Sequence, residues 1–196
     1  MTVFLIILVA YLIGSIPFGL LGKFFFKIED PRTFGSKNIG ATNVLRSGNK
    51  KAAAFTLFFD MFKGFIAVFI SSFIDNDLVY LAILSVVFGH IFPVYLLFKG
   101  GKGVATFLGA LVSYNAVVGS LTLLAWITVF YFTRKSSVAG ISAIILSNLF
   151  LFVFGDNTSV KFSLLLLSIF ILFKHSENIK RLLNKEEFSF QGRDKN

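Results

Sequence analysis

The sequence predicts an all-α integral membrane protein of seven transmembrane helices, some of them short, with the N-terminus outside and the C-terminus cytoplasmic. Three observations carry that expectation. Of the 196 residues, 56% are apolar and only 15% are charged, and the mean hydropathy is +0.81, a balance foreign to soluble domains. Apolar runs of about 20 residues, enough to cross a hydrocarbon core of ~30 Å, follow one another along the chain. Lysine and arginine collect in alternate connections, as the preference of basic residues for the cytoplasmic side requires.

The first run, Val3 to Leu21, has no basic segment before it and no small-residue cleavage pattern after it, so it is expected to be a retained helix and not a signal peptide. Ala53 to Ile74 and Leu78 to Phe98 are the next spans. The 29 residues from Val104 to Phe132 are long for one crossing and short for two. Charge decides: Lys99 and Lys102 precede the stretch and Arg134 and Lys135 follow it, so both ends lie on one side and the chain turns near Tyr114 to Ser120 between two short helices. Val138 to Phe154 and Phe162 to Phe173 complete the set. This arrangement puts the basic residues from Lys23 to Lys51 inside, with Lys99, Lys102, Arg134, Lys135 and the tail from Lys174 to Lys195, including Arg193. Asp75, Asp77 and Asp156 fall outside, Lys161 being the exception. No repeat or second domain is visible. Residues 1–196 read as one transmembrane domain, with a short, partly disordered polar tail from about residue 184.

The chain has no cysteine, which removes disulfides, thiolate nucleophiles and zinc–thiolate sites, and its two histidines, His90 and His175, make a histidine metal site unexpected. Polar sequence concentrates on the inner side, so the chemistry is expected there. The first cluster runs from Gly35 to Arg46: glycines let backbone N–H groups converge on an anion, Ser36, Asn38, Thr42 and Asn43 add donors, and Arg46 adds a fork suited to phosphate. The bland reading of this cluster is a solvated turn-rich loop. The second, Gly89-His90-Ile91-Phe92-Pro93 followed by Phe98 to Thr106, is a basic glycine loop opening onto a helix, where N–H groups favour phosphate. It is neither a Walker A loop, because Gly103 follows Lys102, nor a dinucleotide fingerprint, because no strand precedes it. His90 beside Pro93 is also expected to satisfy a carbonyl freed by the helix break. The third cluster spans Lys174 to Arg181, and His175 and Asn178 share a face if the last helix continues. An interfacial histidine is more often structural than catalytic. Asp60 and Lys63, at i,i+3 inside a span, mark either a substrate contact or a pair that braces the nearby loop.

Together the clusters resemble the bacterial acyl-phosphate:glycerol-3-phosphate acyltransferase family (PlsY). The family's first motif resembles Gly35 to Arg46, its second Gly89 to Pro93 with Phe98 to Thr106, and its third His175-x-x-Asn178-Ile179-x-Arg181; the similarity also takes in Gly14 to Gly19 and Asp60 to Gly64. The resemblance implies transfer of a fatty acyl group from acyl phosphate to the sn-1 hydroxyl of glycerol 3-phosphate, giving lysophosphatidic acid and phosphate, the first acylation of phospholipid synthesis. It implies His175, Ser36 and Lys102 as catalytic residues, and Asn38, Gly40, Thr42, Asn43, Arg46, Gly101, Gly103, Ser137 and Asn178 as substrate-binding residues, with no metal and no cofactor. The implied partners are glycerol 3-phosphate, acyl phosphate, membrane lipid and the enzyme that makes acyl phosphate, with no nucleic acid. The implied location is the bacterial plasma membrane, with the site facing the cytoplasm. One departure is that Gly140 stands where relatives carry the second serine of a Ser-x-x-Ser-like stretch, so that Ser136, Ser137 or Ser142 would have to replace its contact. Either His175 or a substrate phosphate oxygen would take the hydroxyl proton. The His-x-x-x-x-Asp motif of thioester-dependent acyltransferases is absent, Tyr95 and Lys180 occupying the relevant offsets. The alternative reading, a small membrane transporter of phosphate or another organic anion, would call for polar groups and broken helices at the midplane between repeats.

Overall fold

The computed structural model describes residues 1–155 and 157–190. The expected positions of Asp156, Arg193 and Lys195 fall outside these residues. All regular structure among the described residues is helical: α1 (Thr2–Ser15), α2 (Phe18–Phe26), α3 (Ala41–Leu45), α4 (Lys50–Ile74), α5 (Val79–Ile91), α6 (Val104–Tyr114), α7 (Ala116–Thr133), α8 (Ser136–Phe154), α9 (Thr158–Lys174) and α10 (Ser176–Leu183). The chain divides into two compact units, Met1–Ala116 and Val117–Asn196.

Five segments are long and apolar enough to cross a bilayer: Thr2–Phe26, Lys50–Ile74, Asn76–Leu96, Ala116–Thr133 and Ser136–Phe154; α9 and α10 add a pair bent by 56°, and α6 is a shorter apolar helix. Large exposed apolar side chains such as Phe58, Phe73, Phe152 and Phe173 are what lipid-facing surfaces require.

In the first unit the leading span is broken at Pro17, which has no N–H to donate and holds Ile16 in an extended conformation (φ −62°, ψ 117°). Glycines set the helix spacing. A Cβ at Gly14 would strike the Val86 backbone and one at Gly89 the Tyr11 carbonyl, so α1 and α5 touch main chain to main chain; Gly64 against Thr106 and Gly109 against Met61 do the same for α4 and α6. Small residues of this kind let helices in lipid gain dispersion contacts that no hydrophobic force supplies. Tyr11 donates its hydroxyl to the Phe92 carbonyl (2.7 Å) where α5 ends.

In the second unit the amide of Asn148 on α8 donates to the Ser168 hydroxyl on α9 (2.7 Å), an interhelical hydrogen bond between groups that lipid could not satisfy.

Two expectations are corrected. The turn within Val104 to Phe132 lies at Asn115, inside the expected Tyr114 to Ser120, but the helices it joins are unequal, 11 and 18 residues, so only the first is short. The last helix does not run straight through His175: it bends by 56° there, so His175 and Asn178 meet as N-cap and third residue of a new helix. Part of the tail after residue 184 is held by contacts among the described residues. Phe190 donates its N–H to the Arg134 carbonyl (2.8 Å) and stacks edge-on against Phe130, which fixes the segment in the second unit.

Candidate active site

The connection between α2 and α4 is organised around one buried amide, Asn43. Its Nδ2 donates to the carbonyls of Pro31 (2.6 Å), Phe34 (3.2 Å) and Asn38 (2.9 Å), while its Oδ1 accepts from the Ser36 N–H (2.9 Å) and Arg46 Nη1 (3.1 Å). A loop has no helical or sheet partner for its main chain, so an interior amide replaces one. Gly35 has φ +57°, and a Cβ there would collide with the Asn43 oxygen; glycine is required on both counts. Lys37 also adopts a left-handed conformation (φ +55°). Asn38 accepts from the Gly40 N–H (2.9 Å), an Asx turn that delivers the chain into α3, whose first two residues are Ala41 and Thr42. Ser36, Asn38 and Arg46 are thereby gathered about one centre. Asn43, expected to bind substrate, is occupied inside the loop.

The loop is fastened at its start by Asp30, which accepts from the Arg32 N–H, Nε and Nη2 and from Lys23 Nζ (2.8–3.3 Å). The Arg32 guanidinium holds the Asp30 carboxyl far below the usual carboxylate range, against the opposing effect of partial burial and with help from Lys23.

The second cluster is the glycine loop between α5 and α6. Gly101 N–H donates to the His90 carbonyl (3.0 Å) and Gly100 N–H to the Ile91 carbonyl (3.2 Å), so the loop pairs with the end of α5. A Cβ at Gly100 would strike the His90 carbonyl, and one at Gly101 would strike the His90 ring. Gly103 (φ +92°) is the N-cap of α6, and Lys102, partly buried, lies between the two glycines immediately before that helix. Beneath the loop, Asp60 Oδ1 lies 2.7 Å from Lys63 Nζ and 3.5 Å from His90 Nδ1, all three side chains being at most 4% exposed. Lys63 Nζ also donates to the Ile16 carbonyl (2.8 Å), the group freed by the break at Pro17. The expected duty of His90 toward a freed carbonyl is therefore performed by Lys63 at Ile16 and by Tyr11 at Phe92, because their longer side chains reach those carbonyls, whereas the His90 ring faces Asp60.

In the second unit, buried His175 places Nδ1 2.7 Å from the Ile171 carbonyl. A carbonyl can only accept, so Nδ1 carries the proton and the neutral ring has its lone pair on Nε2, the form a general base needs. Sequence reasoning missed Glu187. Its carboxylate accepts from Asn178 Nδ2 (2.7 Å) and Arg181 Nε (2.9 Å), and the Ser137 hydroxyl of α8 lies near enough to favour its charge, so polar groups of α8 and α10 converge on one tail residue. Burial opposes ionisation of Glu187, but the polar groups of Ser137, Asn178 and Arg181 prevail and hold its pKa below the usual glutamate range. The available signal was an acidic pair, Glu186-Glu187, in a basic tail ahead of two phenylalanines.

Comparison with known proteins gives a consistent result. A family profile described as glycerol-3-phosphate acyltransferase matches residues 4–185. The glycerol-3-phosphate acyltransferase of Paraburkholderia phymatum is 44% identical over 190 residues, covering 93% of this chain and 90% of that protein. That of Bartonella quintana is 43% identical over 197 residues, covering 97% and 93%. Among solved structures, that of PlsY (YgiH), an integral membrane glycerol 3-phosphate acyltransferase, superposes in its glycerol 3-phosphate form with a TM-score of 0.92 at 38% identity, covering 97% of this chain and 96% of that one. Its lysophosphatidic acid form superposes with a TM-score of 0.90 at the same identity and coverage.

Proposed function

The chain belongs to the glycerol-3-phosphate acyltransferase family and acylates glycerol 3-phosphate, and from that premise we propose that its acyl donor is an acyl phosphate and its product lysophosphatidic acid. The observation that carries the reading is the similarity, along almost the whole chain, to an enzyme solved in glycerol 3-phosphate and lysophosphatidic acid forms. Both proposed substrates bear phosphate, and the two structured loops of the first unit each offer an anion a cation among glycines: Arg46 beside Gly35 and Gly40, and Lys102 between Gly101 and Gly103.

In the proposed reaction the sn-1 hydroxyl oxygen attacks the acyl carbon, the bond from that carbon to the phosphate oxygen breaks, and phosphate departs. The proton goes to His175 Nε2 or to a phosphate oxygen of the substrate. Ser36, Asn38, Gly40, Thr42, Arg46, Gly101, Lys102, Gly103, Ser137 and Asn178 hold the reactants, and catalysis rests on positioning and charge stabilisation, the donor being already activated. Seven crossings follow if α6 and the bent α9–α10 pair each count as one beside the five long spans, with the loops facing the cytoplasm of a bacterial cell. The chain then acts as one acyltransferase domain, supplied by the enzyme that makes acyl phosphate. No specific observation favours a transporter.

The test is to incubate purified protein with labelled glycerol 3-phosphate and either palmitoyl phosphate or palmitoyl-coenzyme A. Lysophosphatidic acid is expected with the phosphate donor alone. Equal rates with both donors would overturn the donor assignment.

A further inference from the structure

The span that lipid should keep free of charge buries two: Asp60 and Lys63 on α4 are each 2% exposed. Removing such groups from water is costly, and a buried ion pair contributes little to stability that apolar side chains could not replace. Their presence inside a span calls for a use. Lys63 ties Asp60 to the carbonyl freed at Ile16, and Asp60 in turn faces His90 Nδ1. The other side of the His90 ring lies against Gly101, where no room remains even for a methyl group, and the carbonyl of His90 receives the Gly101 N–H. A continuous chain of contacts thus runs from the α1 break through α4 and the end of α5 to the residue before Lys102.

We propose that the buried chain Lys63–Asp60–His90 is a positioning device that fixes the glycine loop and thereby aims Lys102 at the phosphate of glycerol 3-phosphate. Asp60 orients the imidazole through the carboxylate charge it places 3.5 Å from Nδ1; the ring forms the wall against which Gly100 and Gly101 fold; the loop presents Lys102 in one place. None of the three is a catalytic residue, since each acts through the loop. The inference rests on the proposed role of Lys102.

The experiment measures kcat and KM for glycerol 3-phosphate with palmitoyl phosphate in detergent-purified Asp60→Asn, His90→Asn, Lys102→Ala and the Lys102→Ala combinations. Asp60→Asn and His90→Asn are expected to raise KM about 10-fold with kcat within about twofold of the parent, the scale of one misplaced charge-assisted contact. In the Lys102→Ala background the same substitutions are expected to change kcat/KM less than about twofold, because the group they position is gone. Should Asp60→Asn fail to fold with Lys63 left unpaired, Asp60→Asn/Lys63→Met removes both charges while still altering the partner of His90, and the same rise in KM is expected. Undiminished losses in the Lys102→Ala background, or an unchanged KM in folded protein, overturn the positioning role while leaving Lys102 in place. A Lys102→Ala enzyme with normal kinetics instead overturns the reading of Lys102, and the inference with it.

Discussion

Glu187 ties the segment after α10 into the folded protein. One carboxylate binds an amide and a guanidinium of α10, and charge-assisted bonds of this kind are stronger than neutral ones. The direction of its pKa shift fixes the pH dependence. A carboxyl whose folded pKa lies below its unfolded value contributes stability that is fully present above the unfolded value, about 4.3, and is lost as pH falls through the lower folded value. Thermal unfolding in detergent should therefore show the parent losing stability relative to Glu187→Gln as pH falls below about 4.3, with Glu187→Gln lower in stability at pH 7 and flatter with pH. Parallel curves for the two proteins would show that the carboxylate is not ionised in the fold.

Helices here are held by notches. The contacts of Gly64 with Thr106 and of Gly109 with Met61 leave no space for a side chain, so Gly109→Ala must push α4 and α6 apart. The cost of overpacking, about 1–3 kcal/mol, is expected as a lower unfolding midpoint in detergent. Gly48→Ala serves as comparison: its φ of +84° carries backbone strain but nothing lies within 4 Å, so it should leave this helix contact intact. An unchanged midpoint for Gly109→Ala would mean the helices part freely. The sequence made the spans legible because apolar runs and basic loops are composition-level signals. It also pointed to Gly35 to Arg46 and to the glycine loop, since glycine and small polar residues cluster there. It did not reveal that Asn43 faces inward, because an amide that binds carbonyls and one that binds substrate look alike in sequence. Nor did it show Glu187, whose partners lie 9 residues away at Asn178 and about 50 away at Ser137. The bend at His175 escaped notice because neither proline nor glycine marks it.

For the molecule as a whole, the proposed topology can be read with single cysteines, since the native chain has none. An impermeant thiol reagent added outside is expected to label a cysteine at Asn76 or Asn157 and to miss one at Asn49 or Asn184; outside labelling at Asn49 would reverse the orientation. The length of α6 has a consequence for the lipid around it. Eleven residues at 1.5 Å each extend about 16 Å, roughly half the hydrocarbon thickness of an ordinary bilayer. The glycine loop at one end and Asn115 at the other therefore cannot both reach the headgroups of an undeformed membrane. Non-helical backbone at such a depth survives only when its polar groups are paired, as the Gly100 and Gly101 N–H groups are. Hydrophobic mismatch of this size thins the surrounding leaflet or draws water inward. At the glycine-loop end either response would bring the aqueous boundary to Lys102, and in the proposed reaction a water-soluble acceptor could then meet a lipid-dissolved donor without the donor leaving the membrane.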